Sequence, residues 1–180
     1  LSAIQNGHIS VVQYLVGKNS RVDCRGGKGN YTALDLALEI NRTDIAAIVS
    51  SESIPFNVRA NQLQYAAENG FVKSVDFLIS AGVTPSTKGE DGLYPIHRAA
   101  MMGHTEVVEK LLFYGVSVDC KNSKEWSALH YATYYGHADT ANFLISRGAN
   151  KNAITKDGLS LLQTCTHPSL KHLFEEFLPN

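Results

Sequence analysis

Apolar residues recur along the chain with helical spacing, and glycines punctuate the helices that they predict. In the segment that begins at Pro95, a residue suited to the first turn of a helix, apolar side chains follow at Ile96, Ala99 and Ala100. Gly103 then ends the predicted helix. The pattern predicts a short amphipathic helix of about two turns.

A second helix is predicted directly after it, with Thr105 as the N-cap and Gly115 as the residue that stops it. Its apolar side carries two adjacent pairs one turn apart, which are Val107, Val108, Leu111 and Leu112. Neither short helix can bury its apolar stripe alone. Neighbouring elements must therefore supply the other wall of the core.

The same pattern repeats along the chain. The segments "QLQYAAENGFVKSVDFLISAGV" from Gln62, "PIHRAAMMGHTEVVEKLLFYGV" from Pro95 and "ALHYATYYGHADTANFLISRGA" from Ala128 align without a gap, and their starts are evenly spaced. A fourth copy starts at Ala33, a truncated copy starts at Leu1, and a degenerate copy ends the chain. The sequence therefore predicts six copies, of which the first is incomplete.

This pattern resembles the ankyrin repeat. The copies are regularly spaced, and "PIHRAA" and "ALHYA" are each followed by "GH" and paired aliphatic residues. The resemblance implies an all-α repeat solenoid, in which helix–turn–helix units stack and short β-hairpin loops, here called fingers, join them. We expect one array over residues 1–180. Its approximate repeats are 1–24, 25–53, 54–86, 87–120, 121–153 and 154–180.

Departures from the period predict where the array is irregular. The step from Asn41 to Gly70 is shorter than the step from Gly70 to Gly103, so the finger within 51–62 is expected to be short or absent. The glycine-rich "CRGGKGNY" predicts a mobile first finger, and a half-polar last helix suits a terminal cap. The missing initiator Met and the uncovered Leu1 and Ile4 lead us to expect a fragment whose array ends near residue 180.

Composition narrows the classes of function. A net charge of −1 gives no field for nucleic acid or anionic lipid, and 44% hydrophobic residues exclude intrinsic disorder. No run of eighteen apolar residues or signal peptide is present, so we expect neither membrane insertion nor secretion. Three widely spaced cysteines without a C-x-x-C pair favour a reducing compartment. The predicted location is therefore intracellular, cytoplasmic or nuclear.

The sequence offers little catalytic chemistry. His97 and His130 share one slot of the repeat, and His8, His104 and His137 share another. By the resemblance, the first slot makes hydrogen bonds within and between repeats and the second supports the turn between helices. Neighbouring layers lie about 8–10 Å apart, too far for a shared zinc ion. We expect no metal, no cofactor and no enzymatic activity.

Candidate binding residues are those whose type the fold does not require. Large apolar residues occupy the finger position just before the repeat core, at Tyr31, Leu93 and Trp126. The two residues before the "GH" glycine are apolar in the same two repeats, at Met101, Met102, Tyr134 and Tyr135. Trp and Tyr anchor interfaces, and Met adapts to a partner's shape. Except for Tyr31, which belongs to the first finger, these residues predict one binding surface on the concave, finger-side face of the fourth and fifth repeats.

Three functions fit this sequence. The first is a non-catalytic domain that binds a protein or peptide through that face. The second is a substrate-recruiting or regulatory module of a larger enzyme, effector or channel, with another domain of the same chain as partner. The third is binding of an acidic ligand through Arg21, Arg25 and Lys28 in the first finger. Nucleic acid is a minority expectation because the chain carries no net positive charge.

Overall fold

The computed structural model of the chain describes residues 1–18, 32–40, 42–50 and 55–175. In these ranges the regular elements are all α-helices. The helices are α1 (Ser2–Gln5), α2 (Ile9–Gly17), α3 (Ala33–Glu39), α4 (Thr43–Val49), α5 (Phe56–Asn69), α6 (Val72–Ser80), α7 (Pro95–Met101), α8 (Thr105–Phe113), α9 (Ala128–Tyr134), α10 (Ala138–Ser146), α11 (Leu161–Thr164) and α12 (Pro168–Glu175). The predicted all-α repeat fold is confirmed.

The chain divides into two compact units. The first holds Leu1–Ala66 and Phe71–Thr84, and the second holds Ala67–Gly70 and Pro85–Asn180. In the first unit α1 packs on α3, α2 on α4, and α3 on α6. The second unit repeats this order, because α7 packs on α9 and α8 on α10. Within each unit, helices of one repeat therefore pack on helices of the next.

The buried positions repeat with the period of the sequence. In the first helix of successive repeats, fully buried residues stand at the equivalent positions Leu63, Ile96 and Leu129. The second helix shows the same register at Leu78, Leu111 and Leu144, each at 0% exposure. Leu111 lies in the core as the pattern predicted. Within each unit, stacking of neighbouring repeats builds the core.

Helix ends follow from local sequence. Pro95 occupies the first turn of α7, where its missing N–H is not needed. Gly103 ends that helix with a φ of 76°, and a Cβ there would meet the Nδ1 of His137 at 2.5 Å. Glycine is thus required both for the backbone conformation and for the space that the next repeat's histidine fills. Gly115, with a φ of 84°, follows α8 as predicted.

One prediction about helix boundaries is wrong. The N-cap of α8 is His104, and Thr105 is the first helical residue, whose Oγ1 instead hydrogen-bonds Thr140 Oγ1 at 2.7 Å. Within 51–62, where the finger was expected to be short or absent, the chain is helical from Phe56, because α5 runs for 14 residues where α7 and α9 each have 7. Residues 51–54 and the predicted mobile finger lie outside the described residues.

Fingers in the second unit are tight turns. Gly89 donates its backbone N–H to Leu93, Asn122 to Trp126, and Thr155 to Leu159, with N···O distances of 2.8, 3.0 and 2.9 Å. These turns recur with the period of the repeat, in phase with the helices. Among the described residues, one isolated β-bridge occurs in these fingers, between Ile154 and Ser160. The fingers of the second unit are therefore shorter than the hairpins implied by the resemblance.

Candidate functional site

The finger before α9 is held by a buried asparagine. The Oδ1 of Asn122 accepts hydrogen bonds from the backbone N–H groups of Lys124 at 2.9 Å and Trp126 at 3.0 Å. Asn122 is 7% exposed, so these bonds are shielded from competing water. Glu125 completes the turn with a φ of 62°. The turn fixes the backbone of Trp126 and therefore the direction in which its indole leaves the finger.

Helix α9 brings two tyrosines next to that indole, and its C-cap adds a third tyrosine beside them. The ring centroids of Trp126 and Tyr131 lie 5.2 Å apart, and those of Trp126 and Tyr134 lie 5.5 Å apart. Tyr134 in turn meets Tyr135 edge to face at 5.1 Å. These distances are typical of stabilising aromatic pairs. We call Trp126, Tyr131, Tyr134 and Tyr135 the aromatic face.

The aromatic face is only partly covered. Tyr134 is 40% exposed and Tyr135 is 47% exposed, whereas Trp126 and Tyr131 are half-buried. The indole N–H of Trp126 and the hydroxyls of Tyr134 and Tyr135 make no hydrogen bond to the part of the chain that the structure describes. The face thus combines ring surface with three unused polar groups.

Tyr131 anchors the buried side of this face and was not predicted from the sequence. Its hydroxyl accepts a hydrogen bond from the Nδ2 of Asn122 at 2.8 Å, and its ring lies 5.5 Å from that of His97. Burial raises the pKa of the Tyr131 phenol, so the group stays neutral at pH 7. Thr155 occupies the position equivalent to Asn122 and also accepts a hydrogen bond within its finger, so a polar residue there is a sequence signal for the turn. No residue pattern marks the contact of Asn122 with Tyr131.

The first histidine slot lies directly beneath this face. His97 accepts a hydrogen bond from the backbone N–H of Tyr94 at Nδ1, and its Nε2 donates to the carbonyl of Cys120 at 2.9 Å. His130 accepts from the N–H and hydroxyl of Ser127 at Nδ1. Both rings are fully buried, and burial lowers the pKa of His97 and lowers that of His130 to about 4. Both imidazoles are therefore neutral structural groups at pH 7.

The second histidine slot joins consecutive repeats. The Nε2 of His104 hydrogen-bonds the carbonyl of Glu68 at 3.1 Å, and that of His137 bonds the carbonyl of Met101 at 2.9 Å. Each side chain thus ties the start of one outer helix to the end of the preceding inner helix. No group of three or more possible metal ligands occurs among the described residues.

The Cys120 thiol lies partly buried in the second unit. Cys120 and Cys165 are both free, and burial raises the pKa of the Cys120 thiol to about 11. A thiol with such a pKa is protonated at pH 7 and a poor nucleophile. Cys24 lies outside the described residues.

The predicted binding residues differ in how exposed they are. Leu93 was expected at the surface, but it is 8% exposed, because the finger turn folds its side chain into the core. Met101 is half-buried and Met102 is 50% exposed. The structure brings Trp126, Tyr134 and Tyr135 together. Outside the described residues lie Tyr31, Arg21, Arg25 and Lys28.

Several charged side chains near the face are paired with one another. Arg98 bridges Glu68 at 2.9 Å and Asp91 at 2.8 Å. Lys121 pairs with Glu125 across one turn at 2.9 Å. Lys124, in the same finger as Trp126, is exposed and makes no ion pair with the described residues.

Comparison with known families agrees with this geometry. The family model for ankyrin repeats in three copies matches residues 63–155, about half of the chain. The chain belongs to the ankyrin repeat family. Ankyrin repeats generally mediate protein–protein interaction, and the family is typically non-catalytic. The matched segment contains the aromatic face and, of the two histidine slots, His97, His130, His104 and His137. The search of curated proteins returned no match.

Among the described residues, no helix combines the length and the apolar character needed to cross a bilayer. The longest, α5, has 14 residues, fewer than the roughly 20 that a spanning helix requires.

Proposed function

We propose that this ankyrin array binds a protein or peptide segment through the aromatic face, with Met101 and Met102 at its border. The observation that carries the proposal is a comparison of equivalent positions. Where Tyr134 and Tyr135 stand, other repeats carry polar pairs such as Gln5–Asn6 and Glu68–Asn69. The fold thus accepts polar residues at the ends of its inner helices, and two exposed tyrosines are not needed for stacking.

The chemistry of the face supports recognition. Tyrosine and tryptophan combine large contact area with a polar group, and they are common at the centres of interfaces. Trp126 is held from below by Tyr131, and its finger is fixed by Asn122. Because the anchor is already ordered, binding loses little side-chain entropy. The partner can be a separate protein or another domain of a longer chain that contains this array.

Affinity capture with a matched control tests the proposal. Tagged wild-type protein, Tyr135→Ala and Phe113→Ala are used to capture proteins from a cell extract, and bound proteins are quantified by mass spectrometry. Phe113 is the control because it is also aromatic and is 79% exposed, but it ends α8 and its ring pairs with Tyr114 rather than with the aromatic face.

We expect a set of proteins that wild type and Phe113→Ala capture equally and that Tyr135→Ala loses by at least about tenfold, in line with removal of an interface anchor. Equal capture by all three proteins would contradict the proposal. Loss with Phe113→Ala alone would place the binding surface on the outer helices instead.

A further inference from the structure

The polar groups of the aromatic face indicate what its partner offers in return. The Trp126 indole can only donate a hydrogen bond, and the hydroxyls of Tyr134 and Tyr135 can donate as well. Within the described ranges these three donors are unused. A partner that covers them without loss must supply acceptors, because a buried donor left without a partner costs free energy. Peptide carbonyl groups are the most abundant acceptors that a protein segment presents.

The charges around the face argue against a cationic side chain as the main ligand. A lysine or arginine bound against aromatic rings gains most when a free carboxylate lies nearby. Here Glu68 and Asp91 are both engaged by Arg98, and Glu125 is engaged by Lys121. A positively charged partner would have to compete with these internal pairs. Lys124, in the same finger, adds a positive charge that has no ion pair among the described residues. The face is therefore not complementary to a positively charged segment.

An extended backbone without helix or strand pairing best meets both conditions. A polyproline II segment has no internal hydrogen bonds and leaves its carbonyl groups free to accept. Proline rings pack against aromatic side chains, and the preformed helix loses little entropy on binding. Centroids of consecutive rings in the face are 5.5 and 5.1 Å apart, and about two residues of polyproline II, at roughly 3.1 Å each, span such a step.

This inference rests on the proposed function. We propose that the segment bound by the aromatic face is a proline-rich stretch without lysine or arginine, in the polyproline II conformation. Its proline rings pack on Trp126, Tyr134 and Tyr135, and its carbonyl groups accept hydrogen bonds from the indole N–H and the two hydroxyls. An amphipathic helix would present far fewer free carbonyl groups, because its backbone bonds are internal.

Selection from a random library of dodecapeptides on phage tests this inference without knowledge of the natural partner. Peptides are selected on the wild-type array after removal of those that bind Tyr135→Ala. We expect proline to rise severalfold above its frequency in the library, with lysine and arginine at or below theirs. Enrichment of lysine-rich or arginine-rich peptides, or of helical patterns without proline, would overturn the inference.

Tryptophan fluorescence then tests the contact itself, since Trp126 is the single tryptophan of the chain. An enriched peptide should change the emission of Trp126 with saturation. Replacement of its prolines by alanine should weaken binding at least about tenfold. Equal affinity of the alanine peptide would overturn the inference.

The two proposals fail in different ways. If the alanine peptide binds as tightly while capture of cellular proteins still depends on Tyr135, only the proline-rich partner is wrong. If neither peptides nor cellular proteins depend on Tyr135, the aromatic face itself is wrong as a binding surface.

Discussion

The outer helices α2 and α8 have nearly the same apolar pattern but very different surroundings. Val107 and Leu111 of α8 are fully buried, whereas the equivalent Val11 and Leu15 of α2 are 45% and 43% exposed. The same two positions are at most 1% exposed in α4, α6 and α10, where the residues are Ile45, Val49, Ser74, Leu78, Thr140 and Leu144. Burial in this fold is therefore set by the surroundings of each helix, and not by the residue alone.

The contact of Thr140 shows which neighbouring repeat covers this side of an outer helix. Thr140 occupies the position of Val11 and Val107, and its hydroxyl bonds that of Thr105 in the preceding outer helix. This side of α10 thus faces the repeat before it. The equivalent side of α2 is exposed to solvent among the described residues. The comparison between buried and exposed outer helices separates the stability that a repeat has by itself from the part that its neighbour adds.

The largest expected effect is the difference between matched leucine truncations. Leu111→Ala removes a fully buried side chain and should reduce the free energy of unfolding by about 2–5 kcal/mol. Leu15→Ala removes a half-exposed one and should cost less than about 1 kcal/mol. Urea titration of both variants checks this, and a loss under about 1 kcal/mol for Leu111→Ala would refute its place in the core.

A fall in pH should reduce the free energy of unfolding of the second unit, because its buried imidazoles are held neutral in the folded chain. The pKa of His130 is about 4 in the folded chain against an ordinary value of 6.5, so the unfolded chain binds the proton first as the pH falls. Stability is therefore lost between about pH 6.5 and pH 4, by at most about 3–4 kcal/mol for this group, and no further below that.

Substitution of the same residue tests the acid effect. His130→Asn removes the titrating group, and it should flatten the dependence of the urea midpoint on pH between 7 and 4. A wild-type midpoint that does not fall in this range would contradict the assignment of buried neutral imidazoles.

Hydrogen exchange should show a smaller difference between the same two helices. Backbone amides of α2 should exchange at least about tenfold faster than those of α8, which corresponds to about 1.4 kcal/mol, because one apolar side of α2 is exposed. More broadly, residues 1–50 should open more readily than residues 95–150. Uniform protection across both regions would show that the exposed side of α2 does not lower its stability.

The sequence predicted the repeats because each copy carries the same apolar register, and Leu111 shows this register is buried. The spacing between copies predicted a short or absent finger within 51–62, but it gave no sign that α5 begins as early as Phe56. The prediction failed at Leu93, whose exposure depends on how the finger turns. Such contacts between a loop and its neighbours leave no periodic signal.

The aromatic face was predicted in part for a similar reason. Trp126, Tyr134 and Tyr135 were found because their residue types are unusual at exposed repeat positions. Asn122 and Tyr131 were missed because each acts through a contact with the other and with Trp126. Pairwise contacts of this kind follow from the folded geometry and not from residue type.

Tyr135→Ala offers the most direct test that the aromatic face is exposed for binding rather than for packing. Tyr135 is the cleanest position, because it is 47% exposed and its one ring contact among the described residues is with Tyr134, whereas Trp126 contacts three other rings. The affinity for a captured partner and the free energy of unfolding are measured on the same preparation. We expect at least about 25-fold weaker binding and a loss of stability below about 1 kcal/mol. A loss of several kcal/mol in stability with no separate binding defect would contradict the account.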